Sequence, residues 1–200
     1  DYTRMAGVHV HISGEGHTPQ TIRNPVNIMA AHESQLAKAI RIDRNRMNRY
    51  CRTVDPKFLE GVNRKKPRTM EELEDLWYQT QNADGNRYTH YNSSRYRVCN
   101  LHSFFHGHHT IEFRLFQFDC PHDGKQNGMH AGQVKSFIQL CLAINQLAKM
   151  VRTASPKPQQ TENEKYAMRC WMLRLGFIGD EFKTAREYYL NNMEGNSAWR

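Results

Sequence analysis

Two short stretches of this 200-residue chain set metal-binding and charged side chains at two-residue spacing. In GVHVHIS (7–13), His9 and His11 alternate with Val8, Val10 and Ile12, and in TIEFRLF (110–116), Glu112 and Arg114 alternate with Ile111, Phe113 and Leu115. A strand turns successive side chains to opposite faces, so each stretch buries an apolar face and presents a polar pair. Imidazole and carboxylate both bind divalent cations, and a guanidinium beside them suits a carboxylate or phosphate. As neighbours in one sheet, the two strands make a polar floor for a metal–nucleotide complex. Each pair also has a plain reading, an exposed polar face in one case and a surface Glu–Arg ladder in the other. Phe113, Phe116 and Phe118 read as core, and the tract His106, His108, His109 as a solvated turn. Glu33 is a carboxylate set among the apolar positions of the first helix, read as the edge of that stripe.

The elements that position these residues follow from periodicity and punctuation. A helix is expected over 24–48, with Asn24 as N-cap and Pro25 in the first turn. A basic loop holding Pro56 and Pro67 leads to a short helix whose Thr69 and Glu72 form a capping box. Strands are expected over 95–101 and 110–118, joined by a hairpin turn at 106–109. Turn formers fill 119–128, a long helix covers 131–150, and a Pro-rich linker at 151–161 precedes two helices, 162–175 and 180–193. The class is α+β, with 1–150 as the main domain and 162–200 as a helical extension.

Composition narrows the function classes. A mean hydropathy of −0.81 with 38% apolar residues describes a water-soluble chain, and no run is long enough to span a bilayer. Five cysteines without a C-x-x-C pair read as reduced thiols in a cytoplasmic protein. The net charge of +8 is concentrated between Arg41 and Arg68, where ten basic residues face three acidic ones. A charge run confined to one segment is the mark of a solvated helix end and loop, and it argues against nucleic acid as the partner.

In order, GVHVHIS, RYRVCNLHS (95–103) and TIEFRLF resemble the amidoligase family of the glutamine synthetase/glutamate–cysteine ligase superfamily. The likeness continues through RYCRTVDPKFLEGVNRKKPRTMEELEDLWY (49–78) and RCWMLRLGFIGDEFKTAREYYL (169–190), and is strongest to a branch found in mobile elements of Gram-positive gut bacteria. The resemblance implies a glutamine-synthetase-like antiparallel sheet with helices on one face. It also implies an ATP- and Mg2+-dependent ligase joining a carboxylate to an amine, peptides and proteins being candidate substrates. By the same resemblance His9 and Glu112 are magnesium ligands, and His11, Arg95 and Asn100 lie at the nucleotide phosphates. Arg114 binds substrate, and Arg95 and Arg114 serve catalysis.

Two departures qualify this. Family members carry Glu-x-Glu-type ligands on strands ahead of the His-x-His strand, whereas the only acidic residue before His9 here is Asp1. The expectation is therefore an N-terminally incomplete site, poorly active on its own, with an open sheet edge at β-strand residues 8–12. The segment 119–128 replaces a short turn of the family. The rival class is a non-catalytic basic module that binds nucleic acid or another anionic partner. Removing Glu112 is expected to abolish turnover and spare the fold, and the oligomeric state is left open.

Overall fold

The computed structural model describes residues 6–117 and 130–198. Three antiparallel strands form one sheet in the order β1 (Gly7–Ser13), β3 (Thr110–Gln117), β2 (Cys99–Asn100). Around it lie α1 (Arg23–Ala39), α2 (Arg44–Tyr50), α3 (Pro56–Lys65), α4 (Met70–Thr80), α5 (His102–His106), α6 (Ala131–Met150), α7 (Glu164–Arg174) and α8 (Lys183–Asn191). The mixed α and β class is as expected. No helix among the described residues is long and apolar enough to cross a membrane. The segment 119–128, with its turn formers, lies outside the described residues.

The register explains how the sheet divides core from site. His11 pairs with Glu112 and Asn100 pairs with Glu112 from the other side, so the polar residues of three strands meet on one face. Val10 pairs with Phe113, Cys99 with Phe113, and Ile12 with Ile111, and these side chains enter the core shared with α1 and α6. Between Val8 and Val10 the register slips, and Val8 pairs with Phe116. One residue of β1 there spans two of β3, a β-bulge at Arg114 and Leu115. Strict alternation would put only one of Leu115 and Phe116 on the core side; the bulge lets both be buried, as the core reading of Phe116 requires, and Phe116 stacks on Phe137 of α6 with ring centroids 4.3 Å apart.

Five local expectations change. The predicted helix 24–48 is two helices: Asp43 breaks it and caps α2, accepting from the backbone N–H groups of Asn45 and Arg46. Asn24 is not a cap, since Ile22 precedes the helix. Asn24 is instead buried in the first turn, donating to the carbonyls of Ala148 and Val151 and accepting from the Ala154 N–H. The basic loop contains α3, started by Asp55 and Pro56. The strand 95–101 shrinks to two residues, because the Arg52 N–H donates to the Tyr96 carbonyl and the Arg52 carbonyl accepts from the Val98 N–H. Instead of a hairpin turn the chain then makes α5, with His106 at its end bonded to Glu74 at 2.7 Å. Thr69 caps α4 as read, although Glu72 reaches back to the Arg68 N–H, one residue before the cap.

The C-terminal helices share the main core. Trp171 of α7 stacks on His32 of α1 at 3.9 Å, and Met168, Met172, Phe177 and Tyr189 are buried with the α1 and α6 side chains. The helices also leave the polar face partly covered. Arg46 of α2 lies over Gly7, on the side of β1 that carries His9 and His11; a Cβ on Gly7 would stand 2.0 Å from its Nη2. α2 is thus outside the expected single helical face, because the bulge leaves the Arg114 and Phe116 carbonyls free to accept from the Arg46 guanidinium.

Glu33, read as a stripe-edge carboxylate, sits against this core and accepts from the Val54 N–H at 2.9 Å. Burial raises its pKa to about 7 from 4.5, opposed by that N–H and by the Arg97 charge. A carboxyl with a raised folded-state pKa is stabilising-neutral below the unfolded value and destabilises the fold as pH climbs from 4.5 through about 7. Glu33→Gln keeps the acceptor and removes the charge. Denaturant melts should show the variant equal to wild type near pH 4 and more stable at pH 8, by up to about 3 kcal/mol. A difference independent of pH would refute the assignment.

Candidate active site

One buried carboxylate organises the polar face. Glu112 is 2% exposed and Arg114 4%, whereas the side chains above them, His9 and His11, are 32% and 41% exposed. Glu112 Oε1 accepts from Arg114 Nη1 at 2.6 Å and lies 2.9 Å from His9 Nδ1 and 3.5 Å from His11 Nε2. Oε2 accepts from Asn100 Nδ2 at 2.5 Å. Burial by itself would raise the Glu112 pKa. The neighbouring His11 and His9, the Arg114 charge and the Asn100 amide outweigh it and hold the carboxyl far below the usual range.

Each partner is positioned in turn. Asn100 uses its carbonyl oxygen to accept the His102 N–H at 2.8 Å, so one side chain both holds Glu112 and starts α5. His11 Nδ1 meets the Thr110 hydroxyl at 2.8 Å, and Thr110 meets Ser103 at 2.9 Å. This hydroxyl pair fixes the His11 ring; neither residue stands out in the sequence, because the bond depends on α5 folding back over the end of β3. Arg114 Nε donates to the Tyr50 carbonyl at 3.2 Å, so the end of α2 sets the plane of the guanidinium.

Arg95 stands beside this cluster. Its Nη1 donates to the His90 carbonyl at 2.7 Å, and its buried Nε has no partner among the described residues. Arg95 and Arg114 both lie against the Tyr96 ring, at 6.0 and 5.6 Å from its centroid. Burial lowers the Arg114 pKa, Glu112 raises it and Arg95 lowers it again, so the two guanidiniums repel across the ring. All six sequence candidates therefore fall in one region. His9, His11, Asn100 and Arg114 surround Glu112, while Arg95 approaches only Arg114. His102, which the sequence does not single out, is buried with its Nδ1 2.6 Å from the Tyr78 hydroxyl; burial, then His106 and Arg95, lowers its pKa to about 4.

A metal can be tested against this geometry. Among the described residues no group of three or more His, Cys, Asp or Glu is arranged to hold one. Adjacent ligands of an octahedral magnesium ion lie about 3 Å apart, and the His9–Glu112 separation of 2.9 Å matches that spacing. One imidazole and one carboxylate fit an ion whose other positions are taken by phosphate and water, and they do not make an all-protein cage.

The burial of Glu112 changes one expectation. Glu112→Ala was expected to spare the fold, but it leaves the Arg114 guanidinium buried without a counter-charge. Glu112→Gln and Arg114→Met should each lower stability by about 3–5 kcal/mol, and the double variant by clearly less than their sum. Additive losses in denaturant melts would show that the pair is not coupled.

Comparison with known proteins bears on what this cluster is for. No curated protein and no solved structure matches the chain. The family model described as "Putative amidoligase enzyme" matches residues 2–145, which includes β1, β2, β3 and every residue of the Glu112 cluster. The chain belongs to the amidoligase family.

Proposed function

We propose that the Glu112 face is the active site of an ATP-dependent carboxylate–amine ligase that works through an acyl phosphate. The observation that carries this reading is Glu112 held by two imidazoles and the Arg114 guanidinium on one sheet face of an amidoligase-family chain, with a second guanidinium, Arg95, beside Arg114 at the Tyr96 ring. Such a site has surplus positive charge for a phosphate to neutralise. Phosphoryl transfer asks chiefly for positioning and charge neutralisation, which this residue set supplies.

In the proposed reaction a substrate carboxylate oxygen attacks the γ-phosphorus of ATP, ADP departs, and the amine then attacks the acyl carbon. The C–N bond forms, inorganic phosphate leaves with the C–O electron pair, and the amine loses a proton to water or phosphate. Magnesium, when bound, would neutralise the phosphates from a position shared by His9 and Glu112. His11 is held by Thr110 at the edge of that position, facing the phosphates. Asn100 keeps Glu112 oriented, so its part at the nucleotide is indirect. Arg95 neutralises phosphate charge. Arg114 is tied through Nε and Nη1, which leaves Nη2 to meet the substrate carboxylate or its acyl phosphate.

The test uses the purified protein with ATP, magnesium, a pool of carboxylates and hydroxylamine, which intercepts an acyl phosphate as a hydroxamate. Hydroxamate formation and ADP release should both require a carboxylate. His9→Ala, which leaves the Glu112–Arg114 pair intact, should cut both by about a hundredfold or more with little change in melting temperature. Arg114→Lys keeps charge but loses the fork and should also be strongly impaired. ADP release without hydroxamate, or full activity in His9→Ala, would sink the reading.

A further inference from the structure

A cavity of about 670 Å³ lies apart from the Glu112 cluster and shares no residue with it. It opens between the start of α1, the α3–α4 connection and the segment after α6. Its wall carries four cationic side chains, Arg23, Lys66, Arg68 and Arg152, with the hydroxyls of Thr18 and Thr153 and no acidic side chain. None of the four cations is in an ion pair among the described residues. That is unusual company for an arginine as buried as Arg23.

Arg23 is only 6% exposed, its Nη2 donates to Thr153 Oγ1 at 3.1 Å, and its buried Nε has no hydrogen-bond partner among the described residues. Desolvating a guanidinium without a counter-charge is unfavourable, so an anion is the partner this site lacks. The helix adds to the same demand. Ile22 at the head of α1 gives no side-chain cap, and the first turn contains no acidic residue. The Ile22 and Asn24 N–H groups donate to the Thr18 and Thr21 carbonyls, but no protein charge offsets the positive end of this 17-residue helix, whose first residue Arg23 lines the cavity.

We propose that this cavity binds a small phosphorylated ligand. Four cations exceed what one carboxylate neutralises, whereas a phosphate ester or diphosphate gathers two or more charges in a compact group that guanidinium forks grip. The volume suits a small molecule, within the range of about 300–1,000 Å³ for such sites. A buried Arg23 on the inner wall favours a ligand that enters the cavity over a nucleic-acid backbone lying across it. The site stands independently of the ligase reading of the Glu112 face.

The probe is pyrophosphate, titrated calorimetrically into the full chain without metal at about 0.15 M salt, where exposed charges are screened beyond about 8 Å. A saturable site that persists in Arg95→Gln is expected. The double variant Lys66→Asn/Arg152→Gln changes two exposed side chains, and Asn tolerates the left-handed backbone at Lys66 (φ 50°). It should weaken pyrophosphate binding about tenfold or more, while Arg95→Gln, at the other site, leaves it in place. Arg23→Lys keeps a charge without the fork and should weaken binding as well, its melting temperature serving as the check on folding. Absence of saturation overturns the proposal, as does binding lost in Arg95→Gln but kept in the double variant. Citrate binding more tightly than pyrophosphate overturns the phosphate assignment. A 20-base-pair DNA duplex that binds through Lys66 and Arg152 where pyrophosphate does not saturate overturns it in favour of nucleic acid.

Discussion

A carboxylate taken out of water costs several kcal/mol unless its neighbours replace the lost solvation, and Glu112, at 2% exposure, is such a group. Its replacement solvation comes from Arg114 on its own strand, His9 and His11 on β1, and Asn100 on β2. These groups are far apart in sequence and meet only if β1 and β2 flank β3 in the observed register. The same carboxylate therefore sets strand order and gathers the polar residues that a ligase needs. Site and fold are specified together at the buried Glu112–Arg114 pair, while the more exposed His9 and His11 belong chiefly to the site.

The bulge in β3 extends this dependence to α2. Slipping one residue keeps Phe116 in the core beside Phe137, but it frees the carbonyls of Arg114 and Phe116 from regular pairing. Arg46, buried to 1% exposure, takes up both. Gly7 makes room for it, since any side chain there would overlap the guanidinium. Tyr50, at the other end of α2, gives its carbonyl to Arg114. The basic stretch 41–68 is thus divided among tasks: Arg46 braces the sheet, Arg64 is a solvent-exposed helix residue, and Lys66 and Arg68 line the cavity.

What could be read from the sequence was whatever depended on neighbours a few residues away. The two-residue alternation at His9/His11 and Glu112/Arg114 placed both pairs on one face, and the start of α4 and the presence of the long helix and the last two helices followed from capping, periodicity and turn residues. What failed depended on distant partners. Asn24 looks like a cap until α6 supplies carbonyls for its amide, and the strand at 95–101 looks complete until Arg52 competes for its backbone. Ser103 and Thr110 carry no signal at all, because a hydroxyl becomes part of a site only through what folds over it. The bulge left one trace: TIEFRLF alternates only as far as Leu115, where Phe116 follows as a second apolar residue, and the packing of Phe116 against α6 shows that both are core.

The paired asparagines of α1 have a kinetic corollary. Asn24 and Asn27 are fully buried, and between them they hold the carbonyls of Ala148, Val151 and Ala154 across separations of 124 to 127 residues. Contacts that close so long a loop cannot form before the chain between them is largely ordered. Until then both amides and their target carbonyls must stay hydrated, so the interface of α1 with the end of α6 cannot dry early in folding. The junction would therefore seal late, alongside the β1–β3 pairing, whose contacts close a loop of comparable length.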